Sequence, residues 1–104
     1  MKAMFYKFER YLLTEKMVSQ NTMDAYRRDV FQFIDFIQKK YSLSDISQVE
    51  SMHLKKFLEF LKKDIQIGAR SSSRKLSALK SFYRFLQRYH EIPNITESVA
   101  FPKL

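Results

Sequence analysis

The arginines Arg70, Arg74, Arg84 and Arg88 are the residues whose type and spacing point most directly to chemistry. A guanidinium presents its N–H donors as a planar fork and can hold two oxygens of a phosphate at once. Ser71, Ser72, Ser77 and Ser81 are interleaved with them, and hydroxyls donate to phosphate oxygens too. From Ile65 to His90 there are six Lys or Arg, namely Arg70, Arg74, Lys75, Lys80, Arg84 and Arg88, and no Asp or Glu. These supply most of the formal net charge of +8. A solvated helix face normally mixes signs, because opposite charges four residues apart stabilise it. Cations gathered without neighbouring acids suit a polyanion, and nucleic acid first. One or two of the guanidiniums can reach a guanine edge in the major groove of a duplex. If Arg70, Arg74, Lys80, Arg84 and Arg88 each neutralise one phosphate, log K falls with log salt at a slope of roughly −4 to −5.

Catalytic chemistry finds little material. The chain has two histidines, His53 and His90, far apart in sequence, and no cysteine. It has no glycine-rich phosphate loop, no metal-ligand spacing and no nucleophile with a base. A structural role is expected for His53. Asp24, Asp29 and Asp35 share a segment with Arg27, Arg28, Lys39 and Lys40, which reads as a self-neutralising solvated face. The chain by itself is expected not to be an enzyme and to need no cofactor or metal.

The elements that must position these side chains are helical. One Gly and two Pro among 104 residues are too few for sheets joined by tight turns. Wound at about 100° per residue, the stretch Arg70–Tyr89 places Leu76, Leu79, Phe82, Tyr83 and Leu86 on one side. Arg70, Arg74, Ser77, Ser81, Arg84 and Arg88 fall on the other, with Lys80 at the margin. A first helix is expected over Lys2–Glu15, buried through Met4, Phe5, Phe8, Tyr11 and Leu12. A second is expected over Gln20–Lys40, capped by Ser19 or Asn21 and buried through Met23, Tyr26, Val30, Phe33, Ile34 and Ile37. Ser47 with Glu50, or Ser51, is expected to cap a third that runs to Asp64 and buries Met52, Leu54, Phe57, Leu58 and Leu61. Gly68 is expected to end the third helix in a left-handed conformation. Ser71 or Ser72 would cap the fourth, which ends near His90. A capping box over Asn94–Glu97 predicts a short C-terminal helix of one turn over Ile95–Ala100, followed by extended chain. Wide aromatic stripes, with ten Phe and six Tyr, favour an all-α fold: a compact orthogonal bundle of four main helices.

A length of 104 residues fits one domain. No run approaches the roughly 18 apolar residues of a membrane span, and the N-terminus lacks the apolar core of a secretory signal. With no cysteine, a cytoplasmic setting is expected.

Four pieces of sequence resemble a known family. They are Phe8–Glu15 (FERYLLTE); Ser19–Thr22 with Ala25–Asp29 and Phe33–Ile37; Ser71–Leu86 (SSSRKLSALKSFYRFL); and Pro102–Leu104. In this order they resemble the N-terminal domain of tyrosine site-specific recombinases of the phage-integrase and Xer type, across essentially the whole chain. Lys80 stands where that family often has Arg, and Asn94-Ile95 where it often has Asn-Pro.

The resemblance implies a SAM-like core-binding fold that grips one side of a DNA duplex while a C-terminal catalytic domain holds the other. The family's second and fourth helices face the major groove. Mapped here, that nominates Asn21, Thr22 and Arg28, and Ser71, Arg74, Ser77, Lys80, Ser81 and Arg84; charge placement adds Arg70 and Arg88, while Tyr26 and Asp29, though part of the motif, read as structural. It further implies residues 1–101 as the DNA-binding domain and 102–104 as the start of a linker to a catalytic domain that this chain lacks. The implied partners are double-stranded DNA, the protein's own catalytic domain and other recombinase protomers in a DNA-bound tetramer. Two other readings remain: a SAM-like protein-interaction module without a DNA role, and a helix lying on a membrane surface. The second is disfavoured, because the apolar face of Arg70–Tyr89 is better used as core.

Overall fold

Helical periodicity in the sequence becomes four helices in the computed structural model, which describes residues 1–103. They are α1 (Lys2–Thr14), α2 (Gln20–Tyr41), α3 (Ser51–Lys63) and α4 (Ala69–His90), with one 3-10 turn at Ile46–Gln48. No strand occurs among the described residues. Of the expected linker residues 102–104, Leu104 lies outside the described part. The helices form an all-α SAM-like bundle, in which α2 and α4 each pack against all three other helices. A radius of gyration of 13.1 Å is that of a compact domain of this length.

Each helix buries most of the stripe its spacing predicts, with Met4, Tyr11, Tyr26 and Leu58 half-buried against the core. Phe5, Phe8 and Leu12 of α1, Met23, Val30, Phe33, Ile34 and Ile37 of α2, Leu54, Phe57 and Leu61 of α3, and Leu76, Leu79, Phe82, Tyr83 and Leu86 of α4 make one core. Rings join the helices edge to face: Phe5 meets Phe31 at 5.1 Å, and Phe33 meets Phe57 at 5.2 Å. Met52 departs from expectation and is exposed. His53 takes the inner position beside it, its ring 4.7 Å from that of Tyr41.

Helix starts follow local chemistry that is only partly the expected one. Ser19 caps α2, its Oγ accepting from the Thr22 N–H at 3.2 Å; Asn21 lies inside the helix. At α3 neither Ser47 nor Ser51 caps. The Glu50 N–H instead donates to His53 Nδ1 at 2.8 Å, which gives His53 a structural task. At α4 the cap position is Gly68, with φ −73°. The expected left-handed glycine is therefore absent, and Ser71 and Ser72 sit within the first turn.

Helix ends share a device that the sequence hides. Met17, Gln66 and Glu91 take left-handed φ values of 51°, 61° and 55°. After each, a hydrophobic residue turns back: the N–H groups of Val18, Ile67 and Ile92 donate to the carbonyls of Leu12, Leu61 and Leu86 at 3.3, 3.0 and 3.3 Å. The same three side chains pack on the core. Each bond reaches back six residues and closes the helix end with an apolar contact around a left-handed residue that is not glycine. Past α4, Asn94 Oδ1 accepts from the Thr96 N–H at 3.0 Å and from its hydroxyl at 2.5 Å. Residues 95–98 form a turn, not a helix.

Candidate nucleic-acid interface

The cations of α4 have two kinds of surroundings. Near the N-terminal end, Lys75 is buried and its Nζ lies 2.9 Å from Asp29 Oδ1 of α2. Arg74 Nη2 lies 3.1 Å from the same oxygen, with its side chain 54% exposed. Asp29 itself is 1% exposed. The three ionised side chains sum to one positive charge, so the buried acid neutralises Lys75 and leaves Arg74 cationic. This corrects the reading of Asp29 as part of a solvated face.

The other acids of α2 are also matched from outside their helix or along it. Asp35 pairs with Lys2 at 3.2 Å. Arg27 pairs with Glu9 of α1, and that hydrogen bond and charge hold the guanidinium above its already high pKa. Asp24 accepts from Gln20 at 2.8 Å.

Toward the C-terminal end, Arg84 Nη2 donates to Ser81 Oγ at 3.2 Å, and the Arg88 guanidinium sits 5.4 Å from the Tyr89 ring centre. Neither arginine makes an ion pair among the described residues, nor do Arg28 and Arg70, all four being exposed. Lys80 differs. It is half-buried, and its Nζ donates to the main-chain carbonyls of Thr96 at 2.8 Å and Val99 at 3.0 Å. The Phe101 ring lies 5.2 Å away. Lys80 thus fastens the C-terminal segment to α4 and does not stand free for a phosphate. Ser72, also expected to reach a phosphate, is buried.

Two adjoining clefts collect many of the nominated residues. A groove of about 180 Å³ between α2 and α4 is lined by Thr22, Ala25, Tyr26, Asp29, Arg74, Ser77 and Ala78. A larger cleft of about 520 Å³ lies beside it, with Tyr26 common to both; its polar lining includes Ser81, Arg84, Arg88 and Lys16, and no carboxylate. Thr22, Arg74 and Ser77 are thereby brought together, as are Ser81, Arg84 and Arg88. Asn21, Arg28, Arg70 and Ser71 are exposed and line neither cleft.

The sequence reading missed Lys16 and the buried pairing of Lys75 with Asp29, a residue that it otherwise takes as structural. A signal existed for Asp29, which stands three residues after Tyr26 and four before Phe33, on the apolar side of α2. Lys75, four before Leu79 and seven before Phe82, carries the same signal. A charge on a buried stripe asks for a partner. Lys16 lies in a loop, where periodicity says nothing.

The arrangement can hold anions along an edge formed by the first half of α2 and the length of α4. Among the described residues no group of acids or histidines could hold a metal ion, and no helix is long and apolar enough to cross a membrane.

Comparison with known proteins gives concordant results. Residues 5–90 match the family described as the phage integrase N-terminal SAM-like domain. The chain is 39% identical over 99 residues to tyrosine recombinase XerC of Leptospira interrogans, covering 94% of this chain and 31% of that protein. It is 36% identical over 99 residues to XerC of Herpetosiphon aurantiacus, covering 94% and 32%. It is 34% identical over 98 residues to tyrosine recombinase XerD of Rickettsia conorii, covering 93% and 31%. The chain therefore spans about a third of the length of the curated relatives it matches. No solved structure matches it.

Proposed function

Because the chain belongs to the family of phage integrase N-terminal SAM-like domains, we propose that it is the DNA-gripping domain of a tyrosine recombinase. In this reading residues 1–101 hold one side of a recombination half-site in the cytoplasm. Residues 102–104 begin the linker to a catalytic domain that cleaves and rejoins the strands. Other protomers join it in a tetramer on two DNA sites. The chain's own share is binding and positioning, not bond breaking.

One observation carries the reading. The 22 residues of α4 hold six cations and no acid, and among the described residues only Arg74 and Lys75 of these meet a carboxylate. A helix of that length runs roughly 33 Å, about one turn of duplex. Arg70, Arg74, Arg84 and Arg88 of α4 and Arg28 of α2 form the phosphate-binding set, with Lys16 at the cleft. Asn21, Thr22, Ser71, Ser77 and Ser81 supply hydrogen bonds to the backbone or to base edges. Lys80 is left out of the set because carbonyl oxygens already occupy its ammonium. Five phosphate contacts give a log–log salt slope of roughly −4 to −5.

The test is binding of a labelled duplex at low salt, followed by fluorescence anisotropy. Replacing Arg74 and Arg84 together by Ala is expected to remove most of the affinity. Unchanged affinity contradicts the site, and no binding of duplex by the unaltered chain contradicts the reading.

A further inference from the structure

We infer that Asp29 is a positioning residue: it fixes the direction in which Arg74 presents its guanidinium to DNA, and Lys75 holds Asp29 in place for that purpose. The inference rests on the DNA-binding reading and adds to it a residue that touches no nucleic acid.

Three features of the site carry it. Asp29 is buried, while Arg74 reaches from the surface to its Oδ1 at 3.1 Å. That contact uses one of the five N–H donors of a guanidinium, so most of the fork stays available. The groove where this happens is lined by Thr22 and Ser77, which offer hydroxyls beside Arg74. Second, Lys75 is too deeply placed to serve a phosphate, its side chain being 10% exposed. Its ammonium instead shares the same carboxylate oxygen at 2.9 Å. With Lys75 present the cluster of three ionised side chains keeps one positive charge. Third, an exposed arginine free to rotate must be ordered when it binds, and prior anchoring removes that loss.

The alternative is that Asp29 only tempers the positive charge of α4. The two ideas differ in sign. Asp29→Asn alone would strand the Lys75 ammonium, so the comparison starts from Lys75→Met. Adding Asp29→Asn to Lys75→Met raises the net charge by one. If charge alone matters, duplex binding tightens. If Asp29 positions Arg74, binding weakens by about fivefold, the order expected for having to immobilise one long side chain.

The experiment measures affinity for a fluorescein-labelled random-sequence duplex of about 30 base pairs, roughly three helical turns, at fixed low salt, with thermal melts confirming that both variants fold. The pair is repeated with Arg74→Ala in both members. The expected result is weakening where Arg74 is intact and none where Arg74→Ala is present. Tightening with Arg74 intact, or equal weakening in both pairs, overturns the inference. If Arg74→Ala leaves affinity unchanged while Arg84→Ala with Arg88→Ala reduces it, the positioning role falls and the DNA reading stands. If the unaltered chain binds no duplex, both fall.

Discussion

Two pairs of cations on α4, one in each half of the helix, carry the same kind of charge and are treated in opposite ways. In the first half Arg74 and Lys75 converge on one buried carboxylate of α2. In the second, Arg84 and Arg88 rest against a hydroxyl and an aromatic ring beside a cleft with no acid in its lining. The first pair, Arg74 and Lys75, is therefore part of the fold as well as of the proposed interface. The second answers to the solvent and to whatever anion arrives. Held cations give geometry, and free cations give long-range attraction that salt screens.

The largest expected effect lies in the held half. Asp29→Ala would leave the Lys75 ammonium buried without a counter-charge, and should cost about 3 kcal/mol of stability in a denaturant titration. Arg84→Ala, at an exposed position without an ion pair, should change stability by less than about 0.5 kcal/mol. Equal effects at the two positions would dissolve the contrast.

The next effect belongs to the free half. Replacing Arg84 and Arg88 together by Ala should flatten the log–log salt dependence of duplex binding by about 2 and weaken binding about tenfold. An unaltered slope would mean that these side chains meet no phosphate.

A smaller effect sharpens the comparison at the helix end. Glu91 ends α4 in a left-handed conformation, φ 55°. Glycine carries no penalty there, so Glu91→Gly should add about 1 kcal/mol to stability. A loss would show that the Glu91 side chain does something the geometry does not reveal.

The smallest concerns Tyr83, in the middle of α4. Burial pushes its hydroxyl well above the ordinary tyrosine pKa, and the oxygen finds no hydrogen-bond partner among the described residues. Tyr83→Phe should be neutral or stabilising by about 0.5 kcal/mol at pH 7. The sign with pH follows from linkage. A raised pKa in the folded state means that the folded chain holds the proton more tightly, so stability is intact below about pH 10 and declines above it. The phenylalanine variant should lose less stability than the parent when melts are compared above that pH.

What the sequence made legible was governed by neighbours along the chain. Apolar spacing located all four helices, and the Ser19 cap of α2 could be read from one residue type. The cap of α4 was misplaced because three serines after Gly68 all look like caps, and only the observed backbone selects Gly68. Met52 was expected inside because a window cannot fix helix phase within a residue; His53 takes that side and bonds the Glu50 N–H. The cationic ridge was legible as composition. Its division was not, since Asp29 and Lys75 stand 46 residues apart and nothing local ties them. Lys80 was counted with the ridge because its oxygen partners, Thr96 and Val99, lie beyond the helix in a segment that reads as irregular.

Lys80 holds that segment by main-chain oxygens, which every residue possesses alike. The two bonds of the clasp therefore sense the course of the backbone at Thr96 and Val99 and not the side chains exposed beside them. Mutational drift along the segment's exposed positions, such as Glu97 and Ser98, should leave its path intact. Replacing Lys80 would remove both bonds at once and leave the buried Val99 and the half-buried Ile95 to hold the segment on the core.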